Sequence, residues 1–171
     1  LKTSKQQRLY MKNILPILIL IIVFVNCTSQ KYDNQKPADF SVKIIDDINS
    51  YDTKTGIYIR QYINRDSTIK ASITQKELNM IYELFKQYDF MSFPDEFECQ
   101  MITPTKIPAF ETTIEITYKG LHKKVANSDF CEKKIEQLKS DRFNEFSEAV
   151  KKIINNKSEI KSTKESDMFF M

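Results

Sequence analysis

Glycine, histidine and long apolar runs are what this chain has least of. Only two glycines occur in 171 residues, at Gly56 and Gly120, so there is no glycine-rich loop to cradle a phosphate, and both positions mark turns. The single histidine, His122, has no second histidine, Cys-x-x-Cys pair or Gly-x-Ser-x-Gly elbow to complete a catalytic or metal-binding set. Placed in a short predicted strand beside a Lys-Lys pair, it reads as a solvated residue. Acidic residues gather at Asp46-Asp47 and in the run from Asp95 to Glu98, but neither group has the spaced oxygen ligands and glycine of a calcium-binding loop. The residues therefore assign no catalytic position, cofactor or metal.

The run from Ile14 to Val25 is twelve residues, short of the eighteen or more that a membrane-spanning helix needs and suited to the centre of a secretory signal. Lys12 supplies its positive start, and Met11 is read as the initiator, with residues 1–10 an upstream extension.

The cysteine that follows, in Val25-Asn26-Cys27, resembles the lipobox of bacterial lipoproteins, over residues 11–28 only. Phe24 and Asn26 stand where that family carries leucine and a small residue. The resemblance implies that the Cys27 thiol receives a diacylglycerol, that residues 11–26 are removed, and that the new amino terminus is acylated. Two or more acyl chains anchor a protein stably, at about 0.8 kcal/mol per buried methylene. The competing reading is an uncut signal anchor with Cys27 an ordinary thiol.

Charge changes once the address is removed. Four of the 26 basic residues (Lys2, Lys5, Arg8 and Lys12) precede Cys27 and none of the 23 acidic ones do, so the mature chain carries 22 against 23, a net charge of −1. Its basic residues are scattered among acids, which excludes the basic footprint of a nucleic-acid binder. Three cysteines would leave an odd one in an exported protein. With Cys27 lipidated, Cys99 and Cys131 form an even pair. They are a candidate disulfide worth about 3–4 kcal/mol by the loop-closure argument, or else two reduced thiols.

Residues 27–39 read as the lipidated cysteine and a polar tether, residues 40–160 as a single domain and residues 161–171 as a tail. Alternation through Phe40, Val42 and Ile44 predicts a first strand, and "NSYDTKTG" a turn. Around Asn64 to Asp66 a hairpin follows, with Ile57, Ile59 and Ile63 expected inward, then Ile69, Ala71 and Ile73. Thr74 and Glu77 form a capping box, Ile73 and Leu78 a staple, and Leu78, Ile81, Tyr82, Phe85 and Tyr88 an apolar helical stripe. The pattern recurs: "FETTIEITY" alternates, Lys119-Gly120 turns into "LHKKVA", and Asp129 with Glu132 caps a second helix. Ile135 and Leu138 fall out of phase with Phe143, Phe146, Val150 and Ile154, which predicts a break near Lys139 to Asp141. The expected fold is α+β: a mostly antiparallel sheet of about five strands with two helices on one face, built as two hairpin-plus-helix units.

Two surfaces are candidates for binding. On the outward hairpin face Tyr58 and Tyr62 flank Arg60, residue types enriched at interfaces. The long segment from Asp89 to Ala109 carries Phe90, Phe93, Phe97, Met101, Ile102 and Ile107, and reads either as a loop closing the core or as a partner-binding lip. The apolar end of "ESDMFFM" adds an edge strand, docks on the core or recruits a partner. Three functional readings follow. The first is a cell-envelope lipoprotein, outer-membrane or periplasm-facing, held at the membrane by lipid and binding an envelope protein or peptide without catalysis. The others are a small envelope hydrolase or thiol enzyme using His122 or the Cys99/Cys131 pair, and a structural accessory subunit of a membrane-bound assembly.

Overall fold

The computed structural model describes residues 32–100, 111–128 and 133–168. Residues from Asn34 onward belong to one compact unit. The end of the expected tether is fastened to it: the Asp39 carboxylate accepts hydrogen bonds from the amides of Gly120 at 2.6 Å and Lys119 at 3.2 Å. These amides, that of Gly120 foremost, hold the Asp39 carboxyl below its ordinary pKa.

The fold is α+β, as expected, with six strands where about five were predicted. They are β1 (Ser41–Ile45), β2 (Asn49–Asp52), β3 (Ile57–Arg60), β4 (Ser67–Lys70), β5 (Glu111–Tyr118) and β6 (Leu121–Ser128). All pairs are antiparallel, and the sheet order is β4-β3-β2-β1-β5-β6. The extra strand is β2, inside the stretch read as a turn. Its Asn, Ser and Asp favour turns in isolation, but pairing on both sides and burial of Tyr51, 2% exposed, override that preference.

The turn into β2 is built by Asp46, whose Oδ1 accepts hydrogen bonds from the amides of Ile48 and Asn49. The turn out of it closes at Gly56 (φ 65°), whose N–H donates to Asp52 O. Lys119 and Gly120, both with positive φ, make the two-residue turn whose twist suits a tight hairpin between β5 and β6.

One row of facing residues crosses the whole sheet: Ile69, Tyr58, Tyr51, Ile44, Ile114 and Val125. Because side chains alternate across a strand, this row defines the core face, and it corrects the expected phase of β3. Tyr58 is 2% exposed and Ile57 36%, so the tyrosine points inward and Ile57 outward. The phase follows from the pairing of Tyr58 with Tyr51, whose large rings bury more area than the isoleucines would. In the segment after β4 the expected inward Ala71 is buried.

Both main helices cover that face. Helix α1 (Gln75–Gln87) starts at the predicted capping box, with the Thr74 side chain and the Glu77 backbone N–H, and the Glu77 side chain and the Thr74 backbone N–H, bonded reciprocally. Its predicted stripe buries Ile81, Tyr82 and Phe85. Helix α2 (Gln137–Asn155) buries Phe143, Phe146, Val150 and Ile154, and a short turn of helix α3 (Ser158–Lys161) follows. The expected break near Lys139 does not occur. The helix starts only at Gln137, so Ile135 lies in the turn before it and Leu138 on its solvent side, 62% and 81% exposed. The predicted cap residues Asp129 and Glu132 lie outside the described residues.

Part of the long segment after α1 belongs to the core. A 3-10 turn (Phe90–Ser92) carries Phe90 inward, and Phe93 and Phe97 are also buried. Rings pack continuously from Tyr118 through Phe85 and Phe90 to Phe93, Phe143 and Phe97, at centroid separations of 5.1–6.1 Å. Each such pair contributes about 0.5–1.5 kcal/mol beyond its buried area. This spine ties both helices to the sheet. Met101, Ile102 and Ile107 lie outside the described residues.

Candidate functional site

The inward turn of β3 relocates the first candidate surface. Tyr58 and Arg60 share the core face near the end of the sheet, and the Tyr58 hydroxyl donates to Asn49 Oδ1 at 2.6 Å. Arg60 Nε donates to the same oxygen at 3.0 Å, and Nη2 donates to the Tyr58 hydroxyl at 2.7 Å. The guanidinium carbon lies 5.3 Å from the Tyr58 ring centroid, within cation–π range. Burial pushes the Tyr58 hydroxyl's pKa up, against the opposing pull of Arg60. The phenol therefore stays a neutral donor, and Arg60 is held in one orientation by Asn49 and Tyr58.

What that orientation presents is Nη1, and it is occupied by the chain itself. Arg60 Nη1 donates to Lys164 O at 3.0 Å and, at the limit of reach, to Thr163 O at 3.5 Å. The Tyr62 hydroxyl donates to Lys164 O at 2.6 Å. Ser166 Oγ donates to Gln61 O at 2.6 Å, and the Ile63 N–H donates to Asp167 Oδ1 at 3.0 Å. The part of the tail up to Met168 thus docks through polar contacts at the end of β3, with no regular secondary structure of its own. Phe169, Phe170 and Met171 lie outside the described residues. A hollow of about 580 Å³ opens beside this junction, lined by Tyr62, the β3–β4 loop and tail residues including Asp167.

The remaining candidates are distributed elsewhere. His122 is exposed on β6, cross-strand from Thr117, and borders an open hollow of about 630 Å³ with Asp95, Glu96 and Lys123. Lys123 pairs with Asp95 at 3.1 Å. The acidic pairs serve the fold: Asp46 builds the β1–β2 turn and lies 3.7 Å from the Lys151 ammonium, and Asp47 accepts from the Glu111 N–H. In the run from Asp95 to Glu98, Glu96 bridges to Ala126 on the edge of β6 and Glu98 O accepts from the Ile135 N–H. Among the described residues no group of three or more His, Cys, Asp or Glu could hold a metal.

Cys99 is disulfide-bonded, which removes a thiolate nucleophile at that position. Its backbone forms an antiparallel bridge with Lys134, flanked by hydrogen bonds from the Gln100 amide to Lys133 O and from the Ile135 amide to Glu98 O. Cys27 and Cys131 lie outside the described residues. The chain matches no known protein-family model, and no curated protein matches it in sequence. The functional reading therefore rests on the residues themselves.

Residue type singles out Tyr58, Arg60 and Tyr62, and the "ESDMFFM" tail reads as a segment that could dock, but nothing in the sequence joins the two or points to Asn49. Ser166 and Asp167 lie about a hundred positions from the loop they bind, and no local pattern announces such a contact.

Proposed function

We propose that this chain is a cell-envelope lipoprotein, anchored through lipid on Cys27, whose α+β domain binds an envelope protein or peptide and carries out no catalysis. The observation that carries the reading is the cysteine balance. A disulfide at Cys99 suits an exported protein in an oxidising compartment. Only Cys27 and Cys131 are available as its partner. The bridge between Cys99 and Lys134 brings the chain three residues beyond Cys131 alongside Cys99, and three residues of extended chain span about 10 Å, which favours Cys131. Cys27 is then left, directly after a short apolar run with a positive start, for acylation. In this reading attachment is by lipid on Cys27.

The test compares intact mass, membrane partition and a non-reducing peptide map of the expressed protein with those of a Cys27→Ser variant. Expected for wild type are a start at Cys27, added acyl mass, and a linked peptide pair containing Cys99 and Cys131. The variant should lose the acyl mass and mature processing. Retention of residues 14–25 with equal membrane binding in both proteins, or a Cys27–Cys99 link, overturns the proposal.

A further inference from the structure

The junction between β3 and the tail resembles an occupied receptor site more than ordinary packing. Two of the three guanidinium nitrogens of Arg60 are held by groups outside the tail: Nε donates to Asn49 Oδ1, Nη2 donates to the Tyr58 hydroxyl, and the Tyr58 ring lies against the guanidinium. Asn49 and Tyr58 belong to paired strands, so the groups that fix Nε and Nη2 come from the sheet and not from the tail. Preorganisation of this kind lowers the ordering cost of binding.

The tail's part is chemically simple. It offers main-chain carbonyls at Thr163 and Lys164, then a hydroxyl at Ser166 and a carboxylate at Asp167, and these meet Arg60, Tyr62, Gln61 and Ile63. Main-chain contacts of this sort supply affinity with little dependence on sequence, while the Ser and Asp supply register. The hollow of about 580 Å³ between the β3–β4 loop and Thr163, Lys164 and Asp167 shows that the seated tail leaves space beside that loop unfilled.

We propose that this clamp is a binding site for an extended peptide strand carrying the same order of groups, two carbonyls followed by a hydroxyl and a carboxylate. Residues 163–167 are its resident occupant in cis. The inference rests on the domain being a binding module and names its site and partner class. Tethering gives the tail an effective concentration in the millimolar range, so the closed state excludes weak competitors and a partner strand enters when the tail is displaced.

The experiment uses a fluorescent peptide of sequence STKESDM, residues 162–168, and its anisotropy with three proteins: the full chain, the chain ending at Ser162, and the shortened chain carrying Arg60→Ala. The shortened chain is expected to bind saturably and at least tenfold more tightly than the full chain. Arg60→Ala should abolish that gain, and a peptide with alanine in place of the serine and aspartate contributed by Ser166 and Asp167 should bind at least fivefold more weakly. If the shortened chain loses its cooperative melting transition, the full chain with Ser166→Ala and Asp167→Ala replaces it, with a gain of at least threefold expected. A folded, tail-released protein that binds no better than wild type, or binding indifferent to Arg60→Ala, overturns the proposal. Acyl mass on Cys27 is read separately: peptide binding without lipid leaves the clamp standing and removes the envelope assignment, and the converse removes only the clamp.

Discussion

Tyr51 offers a direct test of how the core face is built. Its ring is 2% exposed and its hydroxyl donates to Ala71 O at 2.7 Å. Burial foremost, with the nearby negative charge of Glu77 adding to it, pushes the phenol up to about 12, against about 10 in an unfolded chain. Between those values the unfolded state has released its proton and the folded state has kept it. The unfolded state then binds fewer protons, so stability is fully present below pH 10 and falls as pH rises toward 12. A shift of two units corresponds to about 2.7 kcal/mol, and solvent screening reduces this to about 1–2 kcal/mol. Tyr51→Phe removes the titration and the hydrogen bond together. At pH 7 the variant should be about 1 kcal/mol less stable, from the lost bond. Its stability should then decline less steeply above pH 10, with the contribution of Tyr58, raised in the same direction, still present. Urea unfolding at pH 7, 9, 10, 11 and 11.5, extrapolated to zero denaturant, reads both effects. A wild-type-to-variant difference that is constant across that range would refute the argument, because Tyr51 would then titrate alike in both states.

Two further substitutions probe the fold. Gly56→Ala and Gly120→Ala both force alanine into positive φ, at about 1–2 kcal/mol, but a Cβ at Gly56 would meet Ser72 Oγ at 3.0 Å and Ser72 Cα at 3.1 Å, whereas one at Gly120 meets nothing within 4 Å. Denaturant melts should rank Gly56→Ala as the more damaging, and equal losses would show that the approach to Ser72 relaxes freely. Phe143→Ala empties the place where Phe90, Phe93 and Phe97 converge on α2; a loss of about 3–5 kcal/mol, and a fall in Tm on the order of 10 °C, is expected by thermal melt, and a loss under 1 kcal/mol would mean that the aromatic spine repacks.

Wherever information was local, it could be read without the structure. The capping box at Thr74 and Glu77, the α1 stripe through Ile81, Tyr82 and Phe85, the turn at Lys119-Gly120 and the alternation of β5 all stand as expected, because each depends on groups a few residues apart. The α+β class followed from those elements, since helices with one apolar face must bury it on a sheet. Strand β2, the phase of β3 and the start of α2 depended on partners distant in the chain. Asn49, Ser50 and Asp52 look like a turn until Tyr51 is paired with Ile44 on one side and Tyr58 on the other.

The same division holds for the site. Residue type alone marked Arg60 and Tyr62 as candidates for binding, and the proposed amino-terminal address rests on the positive start, the twelve-residue apolar run and Cys27. Which way Arg60 faces, and that it grips the carbonyls of Thr163 and Lys164, was decided by the tertiary structure. Side chains on a strand alternate with a period of two, so a one-residue change of phase moves every group to the opposite face. That phase is set by the energy of burying Tyr51 and Tyr58 together, a quantity that exists only once the sheet has formed.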